Sequence, residues 1–567
     1  MERRVFIAVL LSFVVLYTYQ TYLAPPPPET PAAAAKPAAA APAPARGATA
    51  ATPAASPAAE PSEPVPVSVL GETQPREITV ETDTLRVVFT NRGARILHWQ
   101  VKGYLDTEGK LVDLVPSGLP DDEPRPFTLH LDDAKETARV NSALYRVSGD
   151  SGGTVTPSSG QPLVFEFQDE NGLAARKEFR FEPKGYTFAA TVTVRRGTAP
   201  LNPAIAWGPG LGDQGAAAGG GSMFTGNAVM PPRSLAHHGG EVTRLTPEDA
   251  AASPVVQGPF RFVGVDDHYF VSFAVSDLNG SAEFKPLTLP GPNETQRRLL
   301  AYTLKPSAPG QPITFFVGPK QFDDLRALGP DYTRAIDFGI FAWLVVPLLS
   351  TLKWIFRFTG NYGWSIILLT IFINLVMFPL RHKSSVAMRR MQAIQPQMKA
   401  IQDRYAHLKM TDPGRQKMQE EVSALYKDRG VNPASGCLPL LLTLPVLMAF
   451  YSLLAQSVEL RGAPFAGWLH DLSTADPFFV LPTLMGITMF WQQRVTPTTA
   501  DPAQQRVMMV MPIMFTAMML FSASGVVLYW FVSQLWAIGQ QYLTNWIVGP
   551  LPVAVKAPTA AARRAKS

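Results

Sequence analysis

The sequence predicts a multi-domain membrane protein in which an α-helical transmembrane bundle of six spans is joined to a separate all-β domain. The chain has 567 residues, too many for one compact core. Its long apolar runs are concentrated in the C-terminal third, whereas the middle of the chain is charged and rich in turns. The Lys and Arg residues behind the formal net charge of +5 cluster beside the apolar runs. This placement is typical of membrane topology signals, so we predict no nucleic-acid sequence recognition.

The N-terminal region predicts a membrane anchor followed by a spacer. Residues 1–23 contain Arg3 and Arg4 and then an uncharged stretch, which fits either an uncleaved anchor or a signal peptide. Four prolines at 25–28 leave little room for a cleavage site, which favours an anchor whose start stays in the cytoplasm. Residues 24–70 consist largely of Ala and Pro and predict a disordered, extended linker.

Residues 71–320 predict an all-β sandwich. Representative runs of alternating polar and apolar residues are 77–80, 85–89, 163–167 and 188–194. Turns of Gly, Pro, Asp and Asn separate these runs at short intervals. Short alternating runs with frequent turns are typical of two packed antiparallel sheets.

Residues 321–360 predict an amphipathic helix that lies at the outer membrane interface. Their apolar stretch, 336–358, is interrupted by Pro347, Lys353 and Arg357. The segment 381–436 holds eleven Lys or Arg against five acidic residues, so it belongs in the cytoplasm. One span between the β domain and this segment places it there, and the run 364–380 supplies that span. A span at 336–358 is the alternative.

Four further apolar runs complete the count of six spans, with both termini cytoplasmic. The loop at 458–477 carries three acids against one arginine and is predicted outside, whereas 494–506 and the basic tail 549–567 are predicted inside. Runs of 16 residues reach only about 24 Å against a hydrocarbon core of about 30 Å, so the bilayer beside them should thin. The four runs are 438–457, 478–493, 507–522 and 525–547.

The basic segment 381–436 predicts two antiparallel helices. Apolar residues recur in steps of three and four, stop at the sequence Thr-Asp-Pro-Gly (411–414), and resume. The apolar seam is best explained by the two helices packing on each other, and the charged outer face is suited to a ribosome or to anionic lipid headgroups. The seam residues are Met391, Ile394, Met398, Ile401, Tyr405, Leu408, Met418, Val422 and Leu425.

Enzymatic motifs are missing from the sequence, so we predict no catalytic residues, no metal site and no cofactor. There is no P-loop, no His-Glu-x-x-His and no Cys-x-x-Cys. The best metal candidates are His237-His238 and Asp266-Asp267-His268, but adjacent ligands rarely converge on one ion and neither group has a further partner at a suitable spacing. Cys437, the single cysteine, is predicted to be a small buried residue.

Two further motifs are predicted to be structural. The glycine-rich residues 208–212 lack a preceding strand and a following helix, and they are interpreted as a loop. The sequence Ser-Ala-Ser-Gly at 522–525 has no histidine within the membrane runs to act as a base, so it is interpreted as a helix break between the last two spans.

The C-terminal half resembles the YidC/Oxa family of membrane protein insertases. The resemblance includes the sequence VNPASGCLPL at 431–440 and SGVVLYW at 524–530, and it extends over about a third of the chain. The N-terminal half matches by architecture alone, in the manner of the Gram-negative members with a large periplasmic domain. The other matching stretches are 374–380, 458–465, 468–472, 484–486 and 496–499.

The resemblance implies a five-helix core within residues 361–548, a periplasmic β-supersandwich related to sugar-binding folds, and a location in the bacterial inner membrane. It further implies a hydrophilic groove that is open to cytoplasm and lipid, and it implies as partners nascent membrane protein clients, the Sec translocon, the ribosome and membrane lipids. No enzymatic activity is implied. The groove positions in family terms are Thr370, Asn374, Thr443, Leu447, Met485 and Trp530.

The sequence departs from the family pattern at Asn374, where a basic residue is usual. We therefore predict a groove that is polar but uncharged. Arg381, His382 and Lys383 are placed at the cytoplasmic mouth, where they either supply a positive field or serve only as topology signals. Asn374 itself either keeps the groove polar or forms a hydrogen bond between two helices.

Two functions from other classes remain alternatives on the sequence alone. A secondary transporter would also have several spans, but the paired broken helices and deep charges typical of one are not evident. A periplasmic carbohydrate-binding protein with a membrane tail would place the function in the β domain. Removing that domain and measuring client insertion separates the last alternative from an insertase.

Overall fold

The computed structural model describes nine stretches of the chain, residues 68–106, 108–119, 123–157, 161–212, 232–290, 296–405, 414–430, 438–496 and 502–549. The predicted anchor at 1–23, nearly all of the predicted linker at 24–70, Cys437 and the tail beyond Gly549 lie outside these residues.

The described residues between 68 and 319 are rich in strands, which agrees with the predicted all-β character, and the described strands form three sheets. An eleven-stranded sheet has the order β1-β9-β10-β11-β21-β18-β17-β14-β15, with β7 beside β9 and β12 beside β11. Two five-stranded sheets have the orders β16-β19-β20-β13-β6 and β5-β4-β3-β2-β8. The strands are β1 Ser68–Leu70, β2 Glu77–Glu81, β3 Leu85–Thr90, β4 Arg95–Leu105, β5 Leu111–Asp113, β6 Thr128–His130, β7 Arg146–Ser148, β8 Thr154–Val155, β9 Leu163–Asp169, β10 Leu173–Phe181, β11 Thr187–Arg196, β12 Ala199–Leu201, β13 Ala204–Trp207, β14 Arg233–His238, β15 Glu241–Thr243, β16 Val255–Gln257, β17 Phe260–Asp266, β18 Phe270–Leu278, β19 Gly280–Pro290, β20 Gln296–Pro306 and β21 Pro312–Pro319.

Aromatic side chains fill the space between the sheets. Trp99 on β4 lies 5.1 Å from Phe188 on β11 and 5.8 Å from Trp207 on β13, measured between ring centroids. Its indole nitrogen donates to the carbonyl of Val317 at 3.2 Å, which satisfies the one polar atom of a fully buried side chain. The alternation read from the sequence therefore corresponds to a large aromatic core shared by strands that are far apart in the chain.

A buried lysine holds two loops of the β domain together. Lys177 on β10 is fully buried, and its Nζ donates to the carbonyls of Gly93 and Phe127 at 2.6 Å each and of Ala94 at 3.2 Å. Ala94 and Phe127 both adopt positive φ angles, 48° and 70°, which are unusual for residues other than glycine. Burial holds the pKa of Lys177 well below its usual range. Three carbonyl acceptors match the three donors of an ammonium group.

Replacing Lys177 with methionine is expected to destabilise the β domain by about 3 kcal/mol, because three buried carbonyls lose their donor. Thermal unfolding of the purified full chain, followed by tryptophan fluorescence, measures the change. Lys184→Met is the matched control, since Lys184 is exposed. An unchanged melting temperature for Lys177→Met would contradict the role given to the lysine.

Ten α-helices accompany the strands in the described residues, and eight of them follow the β domain. The two within it are α1 Ala134–Ser142 and α2 Pro247–Ala252. The others are α3 Phe322–Leu328, α4 Ala342–Thr359, α5 Tyr362–Arg404, α6 Gly414–Asp428, α7 Leu438–Gln456, α8 Val480–Val495, α9 Pro502–Met519 and α10 Ser524–Val548. Helices α7 to α10 match the last four predicted apolar runs. The break between α9 and α10 falls at the predicted position near residues 522–525.

Helix α5 is continuous over 43 residues, whereas the sequence analysis placed a boundary at 380/381. Its first turn is capped by the side chain of Asn361, which accepts from the backbone N–H of Trp364 at 3.2 Å. The predicted span and the first predicted hairpin helix are thus one helix. Charge composition changes at Arg381, but no glycine or cap interrupts the helix there, so the backbone continues.

The predicted antiparallel hairpin at 381–436 is formed by the end of α5 and by α6. Arg404 and Tyr405 both contact the carboxylate of Glu421, each at 2.7 Å. Further along the pair, the hydroxyl of Tyr426 lies 3.1 Å from the sulfur of Met398. The contacts run in opposite directions along the two helices, so the helices are antiparallel. Of the predicted turn at 411–414, only Gly414 is described, and α6 begins there; residues 406–413 lie outside the described part of the chain.

Helix α4 buries one face and exposes the other. Val345, Leu349 and Leu352 are almost fully buried, while the side chains of Trp343 and Phe358 are 70% and 74% exposed. By length and composition, residues 339–359 and 362–404 are the two helical segments of the described chain that could span a membrane. The two-faced character of α4 is what an interfacial helix requires.

A tight junction between the β domain and the helices is formed around Arg461. The Arg461 guanidinium lies over the rings of Tyr269 and Phe270, 5.4 and 5.2 Å from their centroids, and donates to the carbonyl of Leu105 at 3.3 Å. His268 Nε2 lies 2.9 Å from the carbonyl of Ala455, near the end of α7. The β domain therefore sits directly on the helical region.

Candidate functional site

A cavity of about 500 Å³, lined by many polar side chains and by apolar surface between them, lies among helices α5, α7, α8 and α10. Most of its lining side chains are hydroxyls, amides or Arg381, although the helices that carry them are largely apolar. The lining residues are Ile373, Asn374, Met377, Arg381, Ser384, Ser385, Leu444, Val446, Leu447, Gln492, Thr496, Tyr529, Trp530, Ser533, Gln534, Ala537, Gln540 and Gln541. We call this cavity the groove.

Asn374 and Arg381 form a pair on the groove wall. The Arg381 guanidinium donates to Asn374 Oδ1 at 2.7 Å, and Asn374 Nδ2 donates to the carbonyl of Thr370 at 2.8 Å. Residues seven apart lie on the same face of a helix, about 10 Å apart along its axis, and helical side chains lean toward the N-terminus. Arg381 can therefore reach back two turns, which brings its charge to the level of Asn374.

This pair corrects the prediction of an uncharged groove. Arg381 is predicted at the mouth, yet its guanidinium lines the groove and is the one formally charged side chain among the described lining residues. Both hydrogen bonds that the structure gives Asn374 lie within its own helix. These contacts therefore differ from the predicted alternative, a hydrogen bond between two helices. The position of Arg381 in the sequence does not give the direction of its side chain, and for this reason the prediction placed its charge at the mouth.

Glutamines on α10 add a polar stripe that the sequence analysis missed. Gln534, Gln540 and Gln541 are at least nine-tenths buried. The side-chain carbonyls of Gln534 and Gln540 have no hydrogen-bond partner among the described residues. Polar residues at 533, 534, 540 and 541 recur at helical spacing within an apolar run, and that spacing was the available signal. Buried carbonyls of this kind require a donor from water or from a bound chain.

The other predicted groove positions fall into three groups. Leu447 and Trp530 line the groove together with Asn374. Thr370 and Met485 are fully buried and lie outside the lining; the Thr370 hydroxyl donates to the carbonyl of Ile366 at 2.6 Å. Thr443 lies on α7, and its side chain is not among the described ones.

The two other residues predicted at the mouth have different surroundings. His382 Nδ1 lies 3.1 Å from the hydroxyl of Thr544, which joins α5 to α10, and Lys383 is exposed. Nearby, the nearly buried Arg389 donates to the carbonyl of Gly549 at 2.8 Å, directly after α10 ends. A cation at the C-terminus of a helix is favourably placed with respect to the helix dipole.

The predicted metal candidates serve as structural residues. Among the described residues, no three His, Cys, Asp or Glu side chains come together in a way that would hold a metal ion. Asp266 is paired with Lys320 at 3.0 Å, and Asp267 accepts from the backbone of Phe270 at 2.6 Å. His237 is buried beside the ring of Phe262.

Two family models match the chain, and together they cover most of it. The model described as YidC periplasmic domain matches residues 77–351, and the model described as 60Kd inner membrane protein matches residues 354–548. The boundary between them falls within α4. The β domain and the helical region therefore correspond to separate, named units.

Curated relatives match over nearly the full length. A membrane protein insertase YidC from Geobacter metallireducens is 35% identical over 96% of this chain and 98% of its own length. Another from Citrifermentans bemidjiense is 34% identical over 96% of this chain and 99% of its own. Among solved structures, an active YidC insertase with its first transmembrane domain resolved is 18% identical, with a TM-score of 0.35 over 85% of this chain and 95% of that one.

The fold and the groove define a membrane protein with a helical core and a large β-rich domain. The sequence identity of 34–35% to curated relatives over 96% of this chain identifies the family. The chain belongs to the YidC family of membrane protein insertases.

Proposed function

We propose that the chain, as a membrane protein insertase of this family, uses the groove to receive a polar segment of a nascent client while that segment crosses the membrane. The observation that carries the proposal is a polar cavity with one guanidinium among its described lining residues, set among apolar helices. Moving unpaired backbone and polar groups through hydrocarbon costs several kcal/mol for each group. A hydrated polar wall lowers that barrier.

Arg381 gives the groove a preference for acidic client segments. Two opposite charges 4 Å apart attract by about 4 kcal/mol at an effective dielectric of 20, and by about 1 kcal/mol in bulk water. Asn374 keeps the guanidinium at the groove wall by accepting its hydrogen bond at 2.7 Å. The side-chain carbonyls of Gln534 and Gln540, which lack a donor among the described residues, accept hydrogen bonds from the backbone N–H groups of the client. Partition of the apolar client helix into lipid then drives the step.

The proposed orientation places the hairpin of α5 and α6 in the cytoplasm and the β domain in the periplasm, with both termini cytoplasmic. The exposed Trp343 and Phe358 support an interfacial position for α4, because aromatic residues favour the boundary between water and hydrocarbon. Six spans then result, of which five form the core around the groove. Short helices such as the 16-residue α8 favour a thinned bilayer.

Partners follow from this orientation. The basic outer face of the hairpin and the basic tail at 549–567 are suited to the ribosome and to anionic lipids. The lipid-exposed side of the helical core is where a client, or the Sec translocon that hands it over, would make contact. The chain is proposed to act on some clients alone and on others with the translocon.

The topology is tested by labelling a single cysteine in the hairpin. Lys409→Cys in a Cys437→Ser background is expected to be unreactive toward a membrane-impermeant thiol reagent in intact cells and fully reactive after lysis. Glu108→Cys in the same background is the control, because Glu108 is exposed in the β domain and should react once the outer membrane is permeabilised. Labelling of the Lys409→Cys variant in cells with only the outer membrane permeabilised would overturn the orientation.

Reconstitution tests the function itself. Liposomes that contain only the purified chain and a short client should insert that client, as measured by protease protection of its translocated segment. Empty liposomes give the background. Equal protection in both would contradict insertion by this chain alone.

A further inference from the structure

A second cavity, of about 510 Å³, lies where the β domain meets the segment that leads into α4. One wall is the β14–β15 hairpin with Arg244 directly after it, and the other is the 3-10 segment with Arg334, followed by Asp337. Ala342 and Val346, on the first turns of α4, form an apolar floor. This cavity shares no lining residue with the groove in the part of the chain that the structure describes.

Charged side chains of both signs cluster around this cavity. Asp337 is held by Arg233 at 3.0 Å, and Asp266 is held by Lys320 at 3.0 Å. Arg244 is a third cation in this cluster and has no carboxylate within ion-pair distance among the described residues. Asp267, next to Asp266, is a third carboxylate of this cluster. At the rim, Glu241 is exposed, and the exposed Arg334 donates to the carbonyl of Gly240 at 2.8 Å.

Only some of the N–H donors of the Arg244 guanidinium have hydrogen-bond partners among the described residues. One terminal nitrogen donates to the carbonyl of Arg334 at 2.6 Å, while its buried Nε has no hydrogen-bond partner among the described residues. Burial lowers the pKa of Arg244, although the charges of Asp337 and Asp266 act in the opposite direction. A half-buried cation with an unused donor is stabilised by an anion.

The surface beside the cavity is strongly apolar. Ile340 and Trp343, which flank its α4 side, are 84% and 70% exposed. A ligand that fits both features has an anionic head for the arginines and a hydrocarbon part for the apolar surface. A free phosphate would satisfy the first requirement and leave the second unused.

We infer that this cavity binds the headgroup of an anionic phospholipid, with the phosphate near Arg244 and Arg334 and the acyl chains along the exposed face of α4. The inference rests on the proposed interfacial position of α4, but it does not depend on the groove. The bound lipid links the β domain, through Arg244, to the helix that precedes the first core helix.

The test is lipid binding by the purified full chain. Native mass spectrometry counts the lipids retained from micelles that contain phosphatidylglycerol or phosphatidylcholine with the same acyl chains. We expect at least one phosphatidylglycerol to be retained in preference, and we expect Arg334→Gln to lower that preference about tenfold, as the loss of one charge-assisted hydrogen bond implies. Arg326→Gln is the control, because Arg326 is exposed on neighbouring α3 and does not line the cavity.

Three outcomes would overturn the inference. These are equal retention of the two lipids, an equal loss with Arg326→Gln, and complete displacement of phosphatidylglycerol by millimolar inorganic phosphate, which would assign the site to a free anion. Arg244→Gln is examined together with its melting temperature, so that unfolding is distinguished from loss of the site. Client insertion is measured on the same variants, which separates this inference from the proposed function. Loss of insertion with lipid binding intact counts against the proposed function alone, and loss of lipid binding with insertion intact concerns the lipid site alone.

Discussion

Arg381→Leu is expected to lower insertion of a client with an acidic translocated segment by about tenfold, while a client with an uncharged segment changes by less than about twofold. The guanidinium is the one charge among the described groove-lining residues, and the loss of about 1.4 kcal/mol of attraction corresponds to that factor. Asn374→Leu should have a smaller effect in the same direction, because Arg381 keeps its charge but loses the acceptor at 2.7 Å that positions it.

Exchanging the two residues makes the test specific. The double variant Asn374→Arg with Arg381→Asn puts the cation directly at the position where the family usually has one, so it should recover most of the insertion of the acidic client. Asn374→Arg alone should be tolerated less well, because two guanidinium groups then face each other. Liposome insertion and protein abundance are measured side by side.

Lys383→Leu is the matched control for these variants, since Lys383 is exposed on the same helix and does not line the groove. An equal loss of both clients with Arg381→Leu would show a structural role. Full insertion of the acidic client by Arg381→Leu at normal abundance would remove the proposed charge preference.

Deleting about residues 84–303 is expected to leave the chain able to support growth when the native protein is depleted, provided that the N-terminal anchor is kept. The described groove-lining residues all follow the β domain in the chain, on or directly after α5, α7, α8 and α10, and none comes from a β strand. By contrast, a variant that lacks residues 362–404 should fail completely, because α5 supplies the Asn374–Arg381 pair.

The contacts of Arg461 with the β domain require one further change in this deletion variant. Arg461 loses Tyr269, Phe270 and the carbonyl of Leu105 when residues 84–303 are removed, so Arg461→Ser is included to avoid a cation without its ring contacts. Expression is checked by blotting. A well-expressed deletion that supports no growth would place an essential part of the function in the β domain.

The sequence was most informative where one periodicity persisted. The alternating runs located strands such as Thr187–Arg196, and the apolar runs located α7 to α10 to within a few residues. Positions that depend on tertiary contacts were not predictable. The pairing of β11 with β21 joins residues more than a hundred apart in sequence, and Lys177 reaches three carbonyls from other parts of the β domain.

The site shows the same division. The motif positions Asn374, Leu447 and Trp530 line the groove, because the resemblance fixed which residues of each helix matter. The prediction of an uncharged groove was wrong. The sequence gives the location of Arg381 along the helix but not the direction of its side chain. Gln534 and Gln541 could have been found from their seven-residue spacing within an apolar run, as could Gln540 from its spacing to Ser533.

Helix α5 is about 64 Å long and continues without interruption from the groove wall into the hairpin, so it connects the two directly. Pro379 and Pro396 both lie inside it, and Pro379 removes one backbone hydrogen bond between Asn374 and Arg381, so bending is easier at this turn. A bend at this turn would change the distance between the two side chains, which is 2.7 Å here. We therefore expect the position of the charge within the groove to depend on what binds the hairpin.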